Sequence, residues 1–234
     1  MVSKLNRLYS KLFKTEKKIT FESNTNLKLF NDKILKRSLY FNNFFKIIEN
    51  IEGSILECGV GEGITLSILC SLNLLEKRER LIWGFDSFEG FPKPTKEDDL
   101  NLERNKGLDE YKVFNIEYVY RTLTEFGISK ADIDRKIILA KGFMPESFSL
   151  YNNKPIALLH LDLDLYLSYK DSINFFYDKV AKGGIIAFDE YNKPMDIAKW
   201  PGAVKAINEF LDSKNLRDSI TKDSITGNIY FIKK

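Results

Sequence analysis

Two carboxylates follow an apolar run in the stretch LLHLDLDLYLSY, residues 158–169. The run is typical of a buried strand of a parallel sheet. A carboxylate placed there needs a hydrogen bond, a cation or a metal to offset its lost hydration. A second apolar run, GIIAFDEY, ends in Asp189 and Glu190. If the two strands are neighbours, these acids meet at one edge of the sheet, where their oxygen atoms suit Mg²⁺ or a similar divalent ion.

The acids are expected to have different tasks. We predict that Asp162, Asp189 and Glu190 are the metal ligands and that Asp164 caps the helix that follows. The alternative for the whole set is a hydrogen-bonded rim that holds no metal. His160, the only histidine in the chain, is predicted to be a satisfied core residue rather than a base.

A glycine turn in the stretch ILECGVGEGITL separates a predicted strand from a predicted helix. Glycines let the backbone turn sharply there, and the amides of the helix start attract a negative group. The dinucleotide fingerprint requires a third glycine at position 64, where the chain has Ile64. The turn therefore favours S-adenosylmethionine over NAD, with a purely structural turn as the alternative. The residues predicted to contact this cofactor are Glu57, Gly59, Val60, Gly61, Gly63 and Thr65.

Parts of that cofactor are assigned to particular side chains. Its carboxylate is expected near Thr65, and Glu57 is expected to face its amino group. Asp86 ends the next apolar run, LIWGFD, at the edge of an open sheet where ligands bind. We predict that Asp86 accepts the ribose hydroxyls. The alternative is that it caps the turn DSFEGFP.

Strand and helix patterns alternate from residue 50 onward, which predicts a doubly wound α/β sheet. The first fifty residues lack a clear strand. We therefore divide the chain into an N-terminal helical segment, residues 1–50, and a cofactor-binding domain, residues 51–234. The polar stretch 93–112 is predicted to form a loop over the substrate. The basic residues of the N-terminus could touch a membrane surface, although a solvated helix face is favoured; they are Lys4, Arg7, Lys11, Lys14, Lys17 and Lys18.

Composition excludes several classes of protein. The chain has 234 residues, 44% of them hydrophobic, and a net charge of +3. That charge is too small to indicate a nucleic-acid partner. No apolar run is long enough to be a transmembrane segment, and the N-terminus does not resemble a signal peptide. Cys58 and Cys70 belong to no metal-binding motif, so we expect reduced, buried thiols in a cytoplasmic protein.

The order of several motifs resembles the macrocin O-methyltransferase family (TylF/CmcI-like), a group of class I S-adenosylmethionine-dependent methyltransferases. The resemblance covers about residues 50–212. The motifs that carry it are LECGVGEG, FDSFEGFPKP, KGFMPESF, LHLDLDLYLS, KGGIIAFDEY and WPGAVKAINEF. It implies a seven-stranded Rossmann-like sheet with an N-terminal helical cap, and a divalent metal at Asp162, Asp189 and Glu190. It also implies that Gly142 and Phe143 lie beside the adenine.

By the same resemblance, Ser87 and Phe88 line the ribose end together with Asp86. The implied reaction is methylation of a sugar hydroxyl on a deoxysugar, a nucleotide-linked sugar or a glycan, assisted by the metal. Asp162 is predicted to act as both metal ligand and proton acceptor. The residues leave open an amino group or a non-sugar hydroxyl as acceptor, and a protein that binds without catalysis. They also leave open whether the chain forms a homo-oligomer.

Overall fold

The computed structural model describes residues 31–98, 114–191 and 198–234. The strands are β1 (Ser54–Cys58), β2 (Ile82–Asp86), β3 (Ile137–Lys141), β4 (Ile156–Leu161), β5 (Val180–Phe188), β6 (Thr221–Lys222) and β7 (Ile229–Ile232). The α-helices that lie wholly within these ranges are α1 (Asp32–Ile47), α2 (Ile64–Leu75), α3 (Ile116–Glu125), α4 (Lys130–Lys136), α5 (Tyr166–Phe176) and α6 (Pro201–Ser213).

The seven strands form one sheet in the order β3-β2-β1-β4-β5-β7-β6. The pairs among β1 to β5 are parallel, and β7 runs antiparallel to both β5 and β6. Every residue of β1 and of β4 is buried, which explains their nearly continuous apolar sequences. The predicted doubly wound seven-stranded fold is confirmed. Because β4 lies between β1 and β5, the segments that follow these three strands meet at one edge of the sheet.

Helices cover both faces of the sheet. On one face, α5 and α6 bury Tyr169, Phe176 and Phe210 in a core cluster. On the other face, α1, α2 and α3 contribute to a second cluster that includes Phe41 and Leu66. Because helices cover both faces, a ligand can reach the sheet at its carboxyl edge.

Helix α1 belongs to the same compact unit as the sheet, which spans Asp32–Lys234. Its residues Phe41 and Phe44 are buried. The ring of Phe41 meets the imidazole of His160 edge to face at 5.0 Å, and that of Phe44 meets Tyr230 at 4.7 Å. Such aromatic pairs add to the free energy gained by burial. The helix is therefore part of the core that supports β4.

Arg80 ties the end of α1 to the sheet. Its buried guanidinium donates hydrogen bonds to the carbonyl oxygens of Ile48 at 2.7 Å, Ile51 at 2.6 Å and Gly53 at 3.0 Å. It also pairs with Glu76 at 2.9 Å. One side chain thus satisfies several carbonyls of the turn between α1 and β1, and this fixes where α1 sits relative to the sheet.

Some sequence predictions fall outside the described residues. They are the six basic residues of the N-terminus and most of the loop predicted at 93–112, since residues 1–30 and 99–113 are not described. The division of the chain at residue 50 stays a proposal. Among the described residues, no helix combines the length and the apolarity that a membrane crossing requires. Cys58 and Cys70 are buried and free, as expected.

The segment after β4 differs from the sequence predictions. Strand β4 ends at Leu161, and Asp164 has a positive φ of 61°. Helix α5 has Leu165 rather than Asp164 at its N-cap position, and the amide of its first residue donates to Asp98 at 2.8 Å. Helix α4 was not predicted from the sequence, because its seven residues are too few to show a helical periodicity.

Candidate active site

The glycine turn after β1 has two kinds of constraint. Gly59 has a φ of 89°, and a Cβ atom there would lie 1.6 Å from the backbone oxygen of Asp162. Only glycine therefore allows the ends of β1 and β4 to come this close. Gly61 also has a positive φ, 51°, but a Cβ atom there would meet nothing within 4 Å. Gly59 is therefore required for the close packing of β1 and β4, whereas the space beside Gly61 is open.

Asp86 holds this turn in place. Its Oδ2 accepts hydrogen bonds from the amides of Val60 at 2.9 Å and Gly61 at 3.1 Å, and its Oδ1 accepts one from the amide of Phe88 at 2.8 Å. The alternative reading of Asp86 as a turn cap is therefore seen in the structure. Its contact with ribose hydroxyls stays a prediction.

A cavity of about 410 Å³ lies over the turn and the carboxyl edge of the sheet. Its size is in the range of small-molecule sites. It brings together most of the residues predicted for the cofactor, namely Gly59, Val60, Gly61, Thr65, Asp86, Ser87, Gly142 and Phe143. The other three predicted contacts, Glu57, Gly63 and Phe88, are not among its lining residues. Phe88 packs into the core cluster to which α2 also contributes, and Gly63 is the N-cap of α2.

The predicted metal ligands come together in two overlapping groups. In one, ligand atoms of His160, Asp162 and Asp189 all lie within 4.8 Å of one another; in the other, those of Asp162, Asp164 and Glu190 do. Asp162 belongs to both groups. The acids thus converge as the sequence predicted, while His160 and Asp164 come closer to this centre than expected.

Arg37 of α1 supplies a positive charge to these acids. Its Nη2 lies 2.6 Å from Asp189 Oδ1 and 3.5 Å from Asp162 Oδ2, and its Nη1 donates a hydrogen bond to Thr65 Oγ1. Burial alone would lower the pKa of Arg37, but the carboxylates of Asp189 and Asp162 raise it above its ordinary value. The guanidinium therefore stays charged and joins the acid cluster to the first turn of α2.

Glu190 sits in a setting that favours its protonated form. The hydroxyl of Tyr169 lies 2.7 Å from the carbonyl oxygen of Leu161 and also contacts Glu190 Oε2. A hydroxyl has one hydrogen, so when Tyr169 donates to Leu161 it must accept from a protonated Glu190. Burial, followed by the nearby charges of Asp162 and Asp164, raises the pKa of Glu190 well above its ordinary value.

Asp162 is the carboxylate best placed for proton transfer. Its side chain lines the cavity and is 24% exposed. Burial and the neighbouring Asp189 raise its pKa to about 6, while Arg37 opposes that shift. A carboxylate of this pKa is a stronger base than an ordinary aspartate and is still ionised at neutral pH.

Glu57 and His160 form a buried pair behind the acids. Glu57 Oε1 lies 3.3 Å from His160 Nδ1, and both side chains are about 1% exposed. Burial raises the pKa of Glu57 well above its usual range and lowers the pKa of His160 to about 3. Glu57 Oε2 and His160 Nε2 have no hydrogen-bond partner among the described residues. The pair is therefore neutral, and two of its polar atoms remain available.

This pair predicts an unusual dependence of stability on pH. Above the ordinary histidine pKa of 6.5, His160 loses its charge in the unfolded chain as well, and of this pair only the raised pKa of Glu57 still affects stability. The free energy of unfolding should therefore fall as the pH rises above 6.5, until Glu57 loses its proton in the folded chain too. Below pH 6.5 the low folded pKa of His160 acts in the opposite direction. Thermal unfolding in EDTA at several pH values measures this slope.

Substitution of Glu57 by glutamine should reduce that slope, since the uncharged amide cannot titrate. Glu125→Gln, on an exposed site of α3, is the matched control and should keep the slope of the wild type. Equal slopes in all three proteins would show that Glu57 is ionised in the fold.

The sequence reading missed several residues that line the cavity. No local sequence pattern marks Arg37 as a site residue, because it is one of many basic residues in the N-terminal part of the chain. The aromatic residues Phe91 and Trp200 lie at the cavity with Lys33 and Lys199. Phe91 and Trp200 pack together with their ring centroids 6.0 Å apart. Apolar rings beside a polar centre are a common wall for a small-molecule substrate.

The sequence is similar to those of known methyltransferases. The chain is 24% identical over 180 residues to mycinamicin III 3''-O-methyltransferase of Micromonospora griseorubida, covering 74% of this chain and 66% of that protein. It is 27% identical over 146 residues to demethyldecarbamoylnovobiocin O-methyltransferase of Streptomyces niveus, covering 61% of this chain and 54% of that protein. The chain thus matches between about half and two thirds of these relatives' lengths.

A solved structure extends the likeness over nearly the whole chain. The calicheamicin methyltransferase CalS11 superposes with a TM-score of 0.72 at 25% identity, covering 98% of this chain and 91% of that one. The sequence profile of the macrocin-O-methyltransferase (TylF) family matches residues 42–233. That match includes the glycine turn, the acid cluster and all seven strands, and the chain belongs to the macrocin-O-methyltransferase (TylF) family.

Proposed function

We propose that this protein transfers a methyl group from S-adenosylmethionine to a hydroxyl group of a sugar. The observation that carries the proposal is that one cavity is lined both by the glycine turn with Asp86 and by the acids Asp162 and Glu190. Family membership supports the methyl transfer. The sugar is supported by relatives, among them a protein described as a TDP-rhamnose 3'-O-methyltransferase.

The cofactor fits the residues present. Its adenosyl part would lie between Asp86 and the pair Gly142–Phe143, in the space left open at Gly61. Its carboxylate would lie beside Thr65, where α2 begins after Gly63 without a side-chain cap. Uncapped amides at a helix start attract an anion.

A divalent metal also fits the donor set. Asp162 and Asp189 lie in one group of potential ligands with His160, and Asp162 and Glu190 lie in the other with Asp164. Their carboxylate oxygens are hard ligands, and the buried His160 Nε2 lacks a partner among the described residues. We propose that Asp162 holds the metal together with Asp189 and Glu190. When bound, the metal would act as a Lewis acid that makes the acceptor hydroxyl more acidic.

The residues of the chain supply the remaining steps. Asp162 accepts the proton from the acceptor hydroxyl, since it is exposed to the cavity and its pKa is raised. Phe91 and Trp200 form an apolar wall for the sugar and exclude water from it. Arg37 holds Asp162 and Asp189 in position through its ion pairs. Catalysis then depends mainly on positioning and electrostatics.

We also propose that residues 51–234 form the cofactor-binding domain predicted from the sequence. Helix α1 precedes that boundary and nevertheless brings Arg37 to the cavity. The preceding segment is therefore proposed to complete the site, in addition to acting as a cap.

Thermal unfolding and a transfer assay test this function. S-adenosylhomocysteine should raise the melting temperature, because it binds only the folded chain, whereas NAD should leave it unchanged. Methyl-labelled S-adenosylmethionine should transfer its label to a nucleotide-linked deoxysugar or to a deoxysugar glycoside. Binding of NAD without a response to S-adenosylhomocysteine would contradict the proposed cofactor, and label transfer to amines alone would contradict the proposed acceptor.

A further inference from the structure

The guanidinium of Arg37 touches two places that the proposed function assigns to different ligands. Its Nη1 donates to Thr65 Oγ1, beside the expected position of the cofactor carboxylate. Its Nη2 contacts Asp189 and Asp162, two of the proposed metal ligands. Both contacts are made by one planar guanidinium group, which is permanently charged. Any ligand that changes one contact therefore acts on the other.

The metal and the guanidinium compete for the same carboxylates. Asp189 Oδ1 lies 2.6 Å from Arg37 Nη2 and also accepts a hydrogen bond from Asn228 Nδ2 at 2.9 Å. An ion held by Asp162 and Asp189 would lie close to a fixed positive charge. Like charges repel at such a separation, most strongly in a partly buried site. The resident guanidinium therefore weakens metal binding.

A carboxylate beside Thr65 would relieve this competition. It would give Arg37 a new anionic partner on its Nη1 side, with the paired geometry that a guanidinium prefers for carboxylates. The guanidinium would then depend less on Asp189 and Asp162, and part of its charge would be neutralised. Both effects favour a divalent ion at the acids.

We propose that Arg37 couples the two binding events: it pairs with Asp162 and Asp189 in the free protein, and the cofactor carboxylate releases those acids for a divalent metal. The inference rests on the proposed function, because it uses the cofactor and metal sites assigned there. It makes binding of each ligand promote binding of the other, by the same factor in both directions. The metal would thus be bound tightly only once the cofactor is present.

Titration of the full chain with Mn²⁺, followed by electron paramagnetic resonance of the free ion, tests the coupling. Saturating S-adenosylhomocysteine should tighten Mn²⁺ binding roughly tenfold, within the usual range of coupling between sites. The matched ligand is 5'-methylthioadenosine, which has the adenosine part and no carboxylate. It should leave Mn²⁺ affinity unchanged. An equal effect of both ligands would overturn the inference without any mutation.

Arg37→Gln separates this role from a structural one. Without the competing charge, the variant should bind Mn²⁺ more tightly than the wild type when no cofactor is present. S-adenosylhomocysteine should then shift its Mn²⁺ affinity less than about threefold, well below the wild-type factor. Lys36→Gln removes the same charge from an exposed neighbouring position on α1 and should behave as the wild type. A purely structural Arg37 would change the melting temperature and leave the coupling intact.

The outcomes distinguish the inference from the function on which it rests. Failure of S-adenosylhomocysteine to bind would refute the proposed function. Binding of both ligands with no mutual effect, or equal coupling in the wild type and Arg37→Gln, would refute the role of Arg37 alone. Absence of Mn²⁺ binding under every condition would refute the metal site and the inference with it. Coupling in the wild type that Arg37→Gln removes would establish the inference.

Discussion

Asp162→Asn should lower the rate of methyl transfer by roughly 10²–10⁴-fold, the range typical of removing a general base. The amide has nearly the shape of the carboxylate but can neither accept the proton nor bind a hard cation well. Asp162 lies in both groups of potential ligand atoms, so the substitution affects either arrangement of a metal. Labelled methyl transfer under saturating substrates measures the loss.

The fold and the cofactor affinity of this variant should survive. The pKa of Asp162 is raised by burial and by Asp189, so its ionised form is held in place at some cost. An uncharged side chain removes that repulsion, and Arg37 keeps Asp189 as a partner. Asp218→Asn, at an exposed site, is the control. EDTA should lower wild-type activity in the same way, and added Mg²⁺ should restore it.

A different result would show that the acids have a structural role. If Asp162→Asn changed only the melting temperature and activity ignored EDTA, the carboxylates would be a hydrogen-bonded rim. His160, whose Nε2 has no partner among the described residues, would then be the first residue to test for proton transfer.

Gly59→Ala should prevent stable folding. The new methyl group would lie 1.6 Å from the backbone oxygen of Asp162, and a backbone atom cannot turn aside as a flexible side chain can. The ends of β1 and β4 would have to separate, which would also disturb the acids after β4. We expect a loss of about 4 kcal/mol or more, in the range of severe single substitutions. Urea denaturation, or recovery of soluble protein, measures it.

Gly61→Ala is the matched comparison, since it changes the same residue type two positions away. A Cβ atom at this position meets nothing within 4 Å, so the cost should be about 1–2 kcal/mol from its positive φ alone. The methyl group would point into the space proposed for the cofactor, and affinity for S-adenosylhomocysteine should fall. Equal stability of the two variants would contradict the close approach at Gly59.

The five parallel strands could be predicted from the sequence because each is a largely apolar run that ends in, or is followed by, a glycine or an acid. Parallel order then brought Asp162, Asp189 and Glu190 to one edge, as the structure has them. Asp86 was harder, because its carboxylate binds the amides of the turn after another strand. Local sequence does not reveal which backbone groups a side chain will meet.

The place of Arg37 in the site was even harder to predict from the sequence. It lies on a helix before the first strand, and its partners Asp162 and Asp189 are more than a hundred residues away in sequence. The acids alone suggested a metal as their positive partner. The structure adds a guanidinium, which neither composition nor periodicity could place. The burial of Phe88 was not predicted for a related reason, since Phe88 joins a core cluster whose members are far apart in the sequence. Its place at the ribose end stays a prediction.

The aromatic contacts of α1 also bear on how the chain is made. Phe44 packs on Tyr230 of β7, which is synthesised much later than Phe44. A ribosome adds about 5–20 residues per second, so roughly 10–40 s separate the synthesis of these two rings. During that interval Phe44 lacks this contact and has only the neighbouring rings of Tyr40 and Phe41 on its own helix. The aromatic face of α1 is therefore completed only after β7 has been synthesised.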